Sequence, residues 1–395
     1  MAVDSLETRK YEVEVLTPTI ICGQDRIQIF EFVSEGDYLY FLNFDKIIEK
    51  NLFKESFIEE ISRGFLSGER DFNIKDVLGK YNINFNEVAK YRVKLEGVTS
   101  SYREVFGFVK SAGRFYIPGS SLKGAMRSFI TKALSKSLLQ HYEDALENAY
   151  KKTQNSTGQR SKIDPKFLSR EADEKIFGSP YESPFKYLKV SDSGFVDHES
   201  ASIYEIKILN ICAGQPKWYS KNGNMDDPAK ATAIVAEGLN PGTKLDGTIK
   251  IGKNFIEGNN AVKGLKERIE IAGISSYSPY EFLAQVIKFV AKYYIQKEIA
   301  FYSRYNQKQI VSEYQKLLTI LDSLKENQFL VQIGFSTGYL SKTVGIFFNK
   351  NHFEKLSKIN TKLKIYSDLF PKTRRLVFKN GQVWTVPGWI KVTVV

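Results

Sequence analysis

The chain has 395 residues, enough for one large or two medium domains with a full core. It carries 57 Lys and Arg against 45 Asp and Glu, a formal net charge of +12, which favours a polyanion or an acidic membrane surface over a neutral partner. No apolar run approaches the roughly 20 residues of a membrane-spanning helix, the first ten residues lack a signal-peptide pattern, and Cys22 and Cys212 show neither disulfide nor zinc spacing, so a cytoplasmic protein is expected.

In chain order, Tyr11-Glu12-Val13-Glu14-Val15 alternates as a strand does, and Thr17-Pro18 ends it. Gly23-Gln24-Asp25 reads as a turn. Residues 27–33 and 38–44 are β-rich runs around Glu35-Gly36-Asp37, a hairpin signal. Helical patterns follow over about 46–53 and 54–64, then strand patterns over 93–98 and 105–109.

The next stretch, Tyr116-Ile117-Pro118-Gly119-Ser120-Ser121-Leu122-Lys123-Gly124-Ala125-Met126-Arg127, organises the first half. Pro118-Gly119 is a turn signal, and Ser120 or Ser121 sits where a helix N-cap belongs. Leu122, Ala125, Met126, Phe129, Ile130, Ala133 and Leu134 then mark one buried face of a helix running to about residue 150. Lys123 and Arg127 lie four apart on one flank, while Lys132 and Lys136 fall about 180° around. Two readings are open: a structural cap, and a phosphate site at a helix N-terminus. The absence of any acid between Glu104 and Glu143 favours the second. A P-loop is excluded, because Ala125-Met126 follow Gly124 where Lys-Ser/Thr is required.

Residues 151–162 hold no apolar side chain and read as a flexible basic loop. Strand patterns recur at 187–191, 203–211, 233–239 and 243–251. Residues 279–326 are helical. A strand at 329–333 enters Gly334-Phe335-Ser336-Thr337-Gly338-Tyr339-Leu340-Ser341-Lys342-Thr343, a second glycine-rich turn, and residues 371–395 carry Lys372, Arg374 and Arg375 with no acid. The layout is α+β: a unit over 1–195 and a second over 196–395 with a helical insertion near 279–326, each of split βαβ type with an antiparallel sheet.

Three stretches together resemble the RAMP proteins of CRISPR systems: the 116–127 motif, Ile176-Phe177-Gly178-Ser179 with Val190-Ser191-Asp192-Ser193, and the 333–343 turn. The Pro371-Lys372-Thr373-Arg374-Arg375 ending and the length narrow the resemblance to the end subunit of the type III-A Csm effector complex. The resemblance implies two ferredoxin-like, RNA-recognition-motif-like units whose glycine-rich loops lie near RNA. It implies a non-catalytic subunit that binds CRISPR guide RNA (crRNA), caps the 3′ end of the ribonucleoprotein filament and supports crRNA maturation in antiviral defence. The partners implied are a repeated backbone RAMP subunit, a small helical subunit and a maturation nuclease. Residues 17–23 depart from the family's first-strand pattern, having no histidine.

On this reading Lys123, Arg127, Lys342, Lys372, Arg374 and Arg375 neutralise phosphates. Gly119, Ser120, Ser121, Gly124, Gly334, Ser336, Thr337, Gly338 and Thr343 offer amides and hydroxyls, and Tyr339 stacks on a base. Core packing is the competing reading for Tyr339, and an exposed salt-bridge face for Arg374 and Arg375. The rival function is a RAMP-family endoribonuclease, which needs an acid–base pair or a metal cluster. His141, His198 and His352 all fall outside the glycine loops and are expected at the surface, Asp192 reads as a turn cap, and Asp25 matches no catalytic loop. No cofactor or metal is expected.

Overall fold

A computed structural model describes residues 7–49, 55–66, 72–154, 165–271, 277–359 and 370–395. The alternation at the N-terminus produces strand Glu7–Val15, which buries Tyr11, Val13 and Val15 and leaves Glu12 outside. It is the middle of a five-stranded sheet in the order Gln328–Gln332, Trp389–Val394, Glu7–Val15, Lys244–Ile251, Leu188–Val190. Every neighbouring pair is antiparallel. Setting aside the edge strand Gln328–Gln332, the order is 4-1-3-2. The first crossover runs through helix Gly119–Gln154 and the second through helices Pro279–Arg304 and Lys308–Asp322. That is the ferredoxin-like arrangement.

Both crossovers bury one face against the sheet. Leu122, Met126, Phe129, Ile130 and Leu134 join Leu283, Ile287, Val290, Phe329 and Trp389 in one core, as the 3.6-residue spacing requires. The first helix is kinked at Leu138. It extends to Gln154, so residues 151–154 are helical, while 155–162 of the expected basic loop lie outside the described residues.

The second sheet has eleven strands around Ala201–Cys212. One path runs Cys22–Gln28, Glu104–Phe108, Ile234–Leu239, Ala201–Cys212, Ala89–Leu95, Tyr38–Leu42, Phe32–Glu35. This sheet is antiparallel in most of its pairs and adds two parallel ones, Ala201–Cys212 with Ala89–Leu95 and Ile234–Leu239 with Glu104–Phe108. The parallel pairs join strands far apart in sequence, where no tight turn imposes the antiparallel direction. Each sheet takes strands from both sides of the 195/196 boundary, so units expected in sequence order are interleaved in space. Helices Phe44–Glu49, Glu55–Leu66 and Ile74–Lys80 form a satellite layer with its own small core around Phe57, Ile74 and Leu78. Among the described residues, no helix is long and apolar enough to cross a membrane.

Candidate nucleic-acid interface

The first glycine loop is built by two segments touching. Helix Gly119–Gln154 begins at Gly119, so Ser120 and Ser121 lie in its first turn rather than at the N-cap. The Ile117 amide donates to Ser193 Oγ at 2.9 Å, and the Gly119 amide donates to Asp192 Oδ1 at 2.8 Å. Asp192 therefore caps the helix from another segment, a favourable place for a carboxylate. This corrects the open phosphate site: its leading amide already has an anion. A Cβ at position 119 would lie 2.3 Å from the Val190 carbonyl oxygen, so only glycine permits the contact.

The second loop is clamped to residues 18–20, which follow the first strand. Phe335 donates its amide to the Ile20 carbonyl at 2.6 Å, and Gly388 donates to Pro18 at 2.9 Å. Gly334 has φ 91°, and a Cβ there would lie 2.1 Å from the Ile20 oxygen. Ser336 and Thr337 are buried, with Thr337 Oγ1 donating to Gly334 at 3.2 Å, which corrects their expected role as ligand-facing hydroxyls. Gly338 (φ 90°) opens the short helix Tyr339–Lys342. Tyr339 packs edge-on to Phe353 and Phe370, so its ring is structural. The Thr343 hydroxyl is also occupied: it donates to Tyr339 at 3.0 Å and accepts from the Gly345 amide at 3.2 Å.

The two loops meet. Ser341 offers its carbonyl to both Ser128 Oγ (3.2 Å) and Lys132 Nζ. Lys132 is fully buried, and burial pulls its pKa down to about 7. Between the loops runs a groove of about 480 Å³, lined by Ser121, Gly124 and Ser128 from the first and Gly334, Phe335 and Lys342 from the second, together with Cys22. Its lining contains no histidine and no carboxylate among the described residues.

Lys123 and Arg127 do share a site, but a different one. At about 100° per residue they lie about 120° around the helix from Ser121, Gly124 and Ser128. They line a second cavity of about 500 Å³ with Arg170, Asp173, Phe185 and Lys186. There Arg127 pairs with Asp173 at 3.1 Å and lies 5.2 Å over the Phe185 ring. Burial, then Arg127 and Lys189, lowers the pKa of Lys123. The helix start, with Ser120 exposed, is the ridge between the two cavities.

The basic tail also divides. Arg374 makes a buried two-point pair with Glu298, Nε to Oε2 at 2.7 Å and Nη2 to Oε1 at 2.9 Å, with its guanidinium 4.0 Å over Phe301. It is therefore a core cation, which corrects its place among the phosphate contacts. Lys372 is half-buried just before strand Thr373–Lys379, and its carbonyl accepts from the Ile211 amide. Arg375 turns the other way, with its guanidinium 5.5 Å over Phe335 at the edge of the groove. The side chain of Lys342 is exposed overall, yet crowding by its neighbours desolvates it enough to lower its pKa, with Arg375 the second cause. Sequence reasoning missed Arg26 and Phe106. Arg26 lies 4.7 Å over Phe106, which stacks on Phe335 at 5.3 Å and 20°. No local pattern signals them, because strands Cys22–Gln28 and Glu104–Phe108 pair across the chain.

The open face of the five-stranded sheet is not the platform an RNA-recognition motif would use. Its shallow cavity of about 570 Å³ is lined by Lys10, Glu12, Glu14, Lys244, Asp246 and Lys391, with no aromatic ring. Asp25 lies within a strand, not a turn. His352 is buried and meets Glu143 at 2.8 Å, and His198 stacks on Tyr91 at 4.4 Å, so neither is the solvated surface histidine expected. Among the described residues, no group of three or more His, Cys, Asp or Glu could hold a metal ion.

Comparison with known proteins supplies independent findings. The RAMP superfamily model matches residues 12–341. A CRISPR system Cms protein, Csm5, of Methanocaldococcus jannaschii is 25% identical over 420 residues, covering 98% of this chain and 89% of that protein. One chain of a cryo-EM Csm-crRNA-target RNA ternary complex of a type III-A CRISPR-Cas system has the same fold, with a TM-score of 0.66 and 21% identity, over 98% of this chain and 100% of the other. The crystal structure of T. onnurineus Csm5 gives a TM-score of 0.62 at 17% identity, over 96% and 99%.

Proposed function

This chain belongs to the RAMP superfamily, and from that membership we propose that it is a non-catalytic guide-RNA-binding subunit of a type III-A CRISPR effector complex. The observation that carries the reading is the groove between the two glycine loops. It joins Gly124 and Gly334, the Ser121 hydroxyl and the cation Lys342, with no carboxylate in its lining. Such a surface suits a phosphodiester chain, which needs donors and positive charge. The similarity to Csm5 and to a chain of a crRNA-containing complex supports the same reading. The finer role is the 3′-end cap of the guide-RNA filament, in contact with the backbone RAMP subunit and the small helical subunit, and supporting maturation with a nuclease partner. RNA crossing the helix start at Ser120 would pass from the groove toward Lys123 and Arg127.

Filter binding of a single-stranded guide RNA at two salt concentrations tests the proposal. Affinity is expected to fall steeply with salt as phosphates release counterions, and an unchanged affinity would sink it. Incubation with labelled repeat RNA, with and without Mg²⁺, tests the non-catalytic part. Cleavage that Asp25→Ala or His141→Ala abolishes would overturn it.

A further inference from the structure

One edge of the groove holds an arrangement that the glycine loops do not explain. Four side chains from four segments stack in a row: Arg26, Phe106, Phe335 and Arg375, with successive separations of 4.7, 5.3 and 5.5 Å. A guanidinium therefore closes each end of a stacked phenylalanine pair. The two ends differ. Arg26 is exposed, and Glu104 meets only one of its nitrogens, at 3.4 Å, so the guanidinium plane remains open to a further flat group. At the other end Arg375 has a buried Nε with no hydrogen-bond partner. Lys342 lines the groove with Phe335, the ring that Arg375 covers; desolvation first and Arg375 second disfavour its charge. The groove beside them has no carboxylate in its lining.

A buried donor without an acceptor costs free energy, and two neighbouring cations without an anion repel. One oxyanion between the two side chains would remove the repulsion and neutralise the guanidinium whose Nε is covered. The open face at the Arg26 end suits a planar ring, since bases stack on guanidinium planes as they do on aromatic ones. We propose that Arg26, Phe106, Phe335, Arg375 and Lys342 form a single-stranded RNA subsite, with a phosphodiester held by Arg375 and Lys342 and a base stacked on Arg26. This rests on the RNA-binding reading above and adds to it a stacking ladder that joins Phe335 and Lys342 of the second glycine turn to Arg26, Phe106 and Arg375 outside it. An acidic protein segment could also neutralise the two cations, but it would leave the stacking end unused.

The test measures affinity of the full chain for a short single-stranded RNA by fluorescence anisotropy across a salt series. Lys342→Ala and Arg375→Gln should each weaken binding about tenfold and reduce the salt slope by about one. Lys316→Ala, which removes an exposed charge on helix Lys308–Asp322, is the control and should change affinity by less than about twofold. An RNA lacking bases should bind the wild-type chain about tenfold more weakly than the intact RNA, and Arg26→Lys should shrink that difference while keeping the charge. Lys342 and Arg26 are exposed, so their variants keep the test valid if Arg375→Gln fails to fold. If the wild-type chain binds RNA but Lys342→Ala and Arg26→Lys behave like the control, the ladder is packing and the subsite falls while the RNA-binding reading stands. If the wild-type chain does not bind RNA, the reading itself fails. Displacement of RNA by polyglutamate as readily as by unlabelled RNA would assign the site to an acidic protein and overturn the proposal.

Discussion

The Lys132 ammonium ends on the Ser341 carbonyl, and through that bond the helix of the first glycine loop holds the short helix of the second. Neither residue was expected to act this way. Helical spacing places Lys132 about 180° around from Lys123, and there it lies inside the core, over the Phe129 ring at 4.7 Å.

That position makes stability depend on pH. The folded-state pKa of Lys132 is lowered from 10.5 to about 7, so between those values the unfolded chain binds more protons and stability rises with pH. Below the folded value the full cost of burying the charge applies. Replacement by methionine removes that cost, on the order of a few kcal/mol. Lys132→Met is therefore expected to be more stable than the wild-type chain near pH 6, with the gap closing toward about pH 10. Thermal melts of both proteins over that range check it, and a gap that does not vary with pH would contradict it.

Arg374 is expected to matter for folding rather than for RNA. Its partner Glu298 is 1% exposed, so Arg374→Met leaves a buried carboxylate without its cation. Breaking such a pair from one side costs about 3–5 kcal/mol, which a urea titration would read directly. A folded, equally stable Arg374→Met variant with weakened RNA binding would show that the residue belongs to the interface after all.

The glycines of the two loops are expected to respond oppositely to alanine. Gly334→Ala combines positive φ with a backbone collision and should destabilise by more than about 2 kcal/mol. Gly124 lies on the exposed face of its helix with nothing within 4 Å of an added methyl, so Gly124→Ala should be neutral or gain up to about 1 kcal/mol. Equal effects in chemical denaturation would mean that the second loop is not clamped against Ile20.

Much of the fold was legible because its causes are local. The alternation from Tyr11 to Val15, the Pro118-Gly119 turn and the spacing from Leu122 to Leu134 each act within a few residues, and each appears where periodicity places it. The site was legible only in part. Both glycine loops were found, because tight turns demand glycine in the sequence itself. The division of their cations was not, because a lysine or arginine reads as a charge whatever surrounds it.

What the sequence alone determined is the first strand, the crossover helices, the two glycine turns and a surplus of positive charge. The tertiary structure decided which charges remain available. It buried Lys132 and Arg374 against Ser341 and Glu298, placed Asp192 on the first loop's amide, and aligned Arg26 with Arg375 through two phenylalanines. The physical reason is separation along the chain. Burial and ion pairing depend on neighbours that the fold brings from afar, 209 residues for Lys132 and Ser341 and 73 for Gly119 and Asp192, and no local pattern encodes such distances.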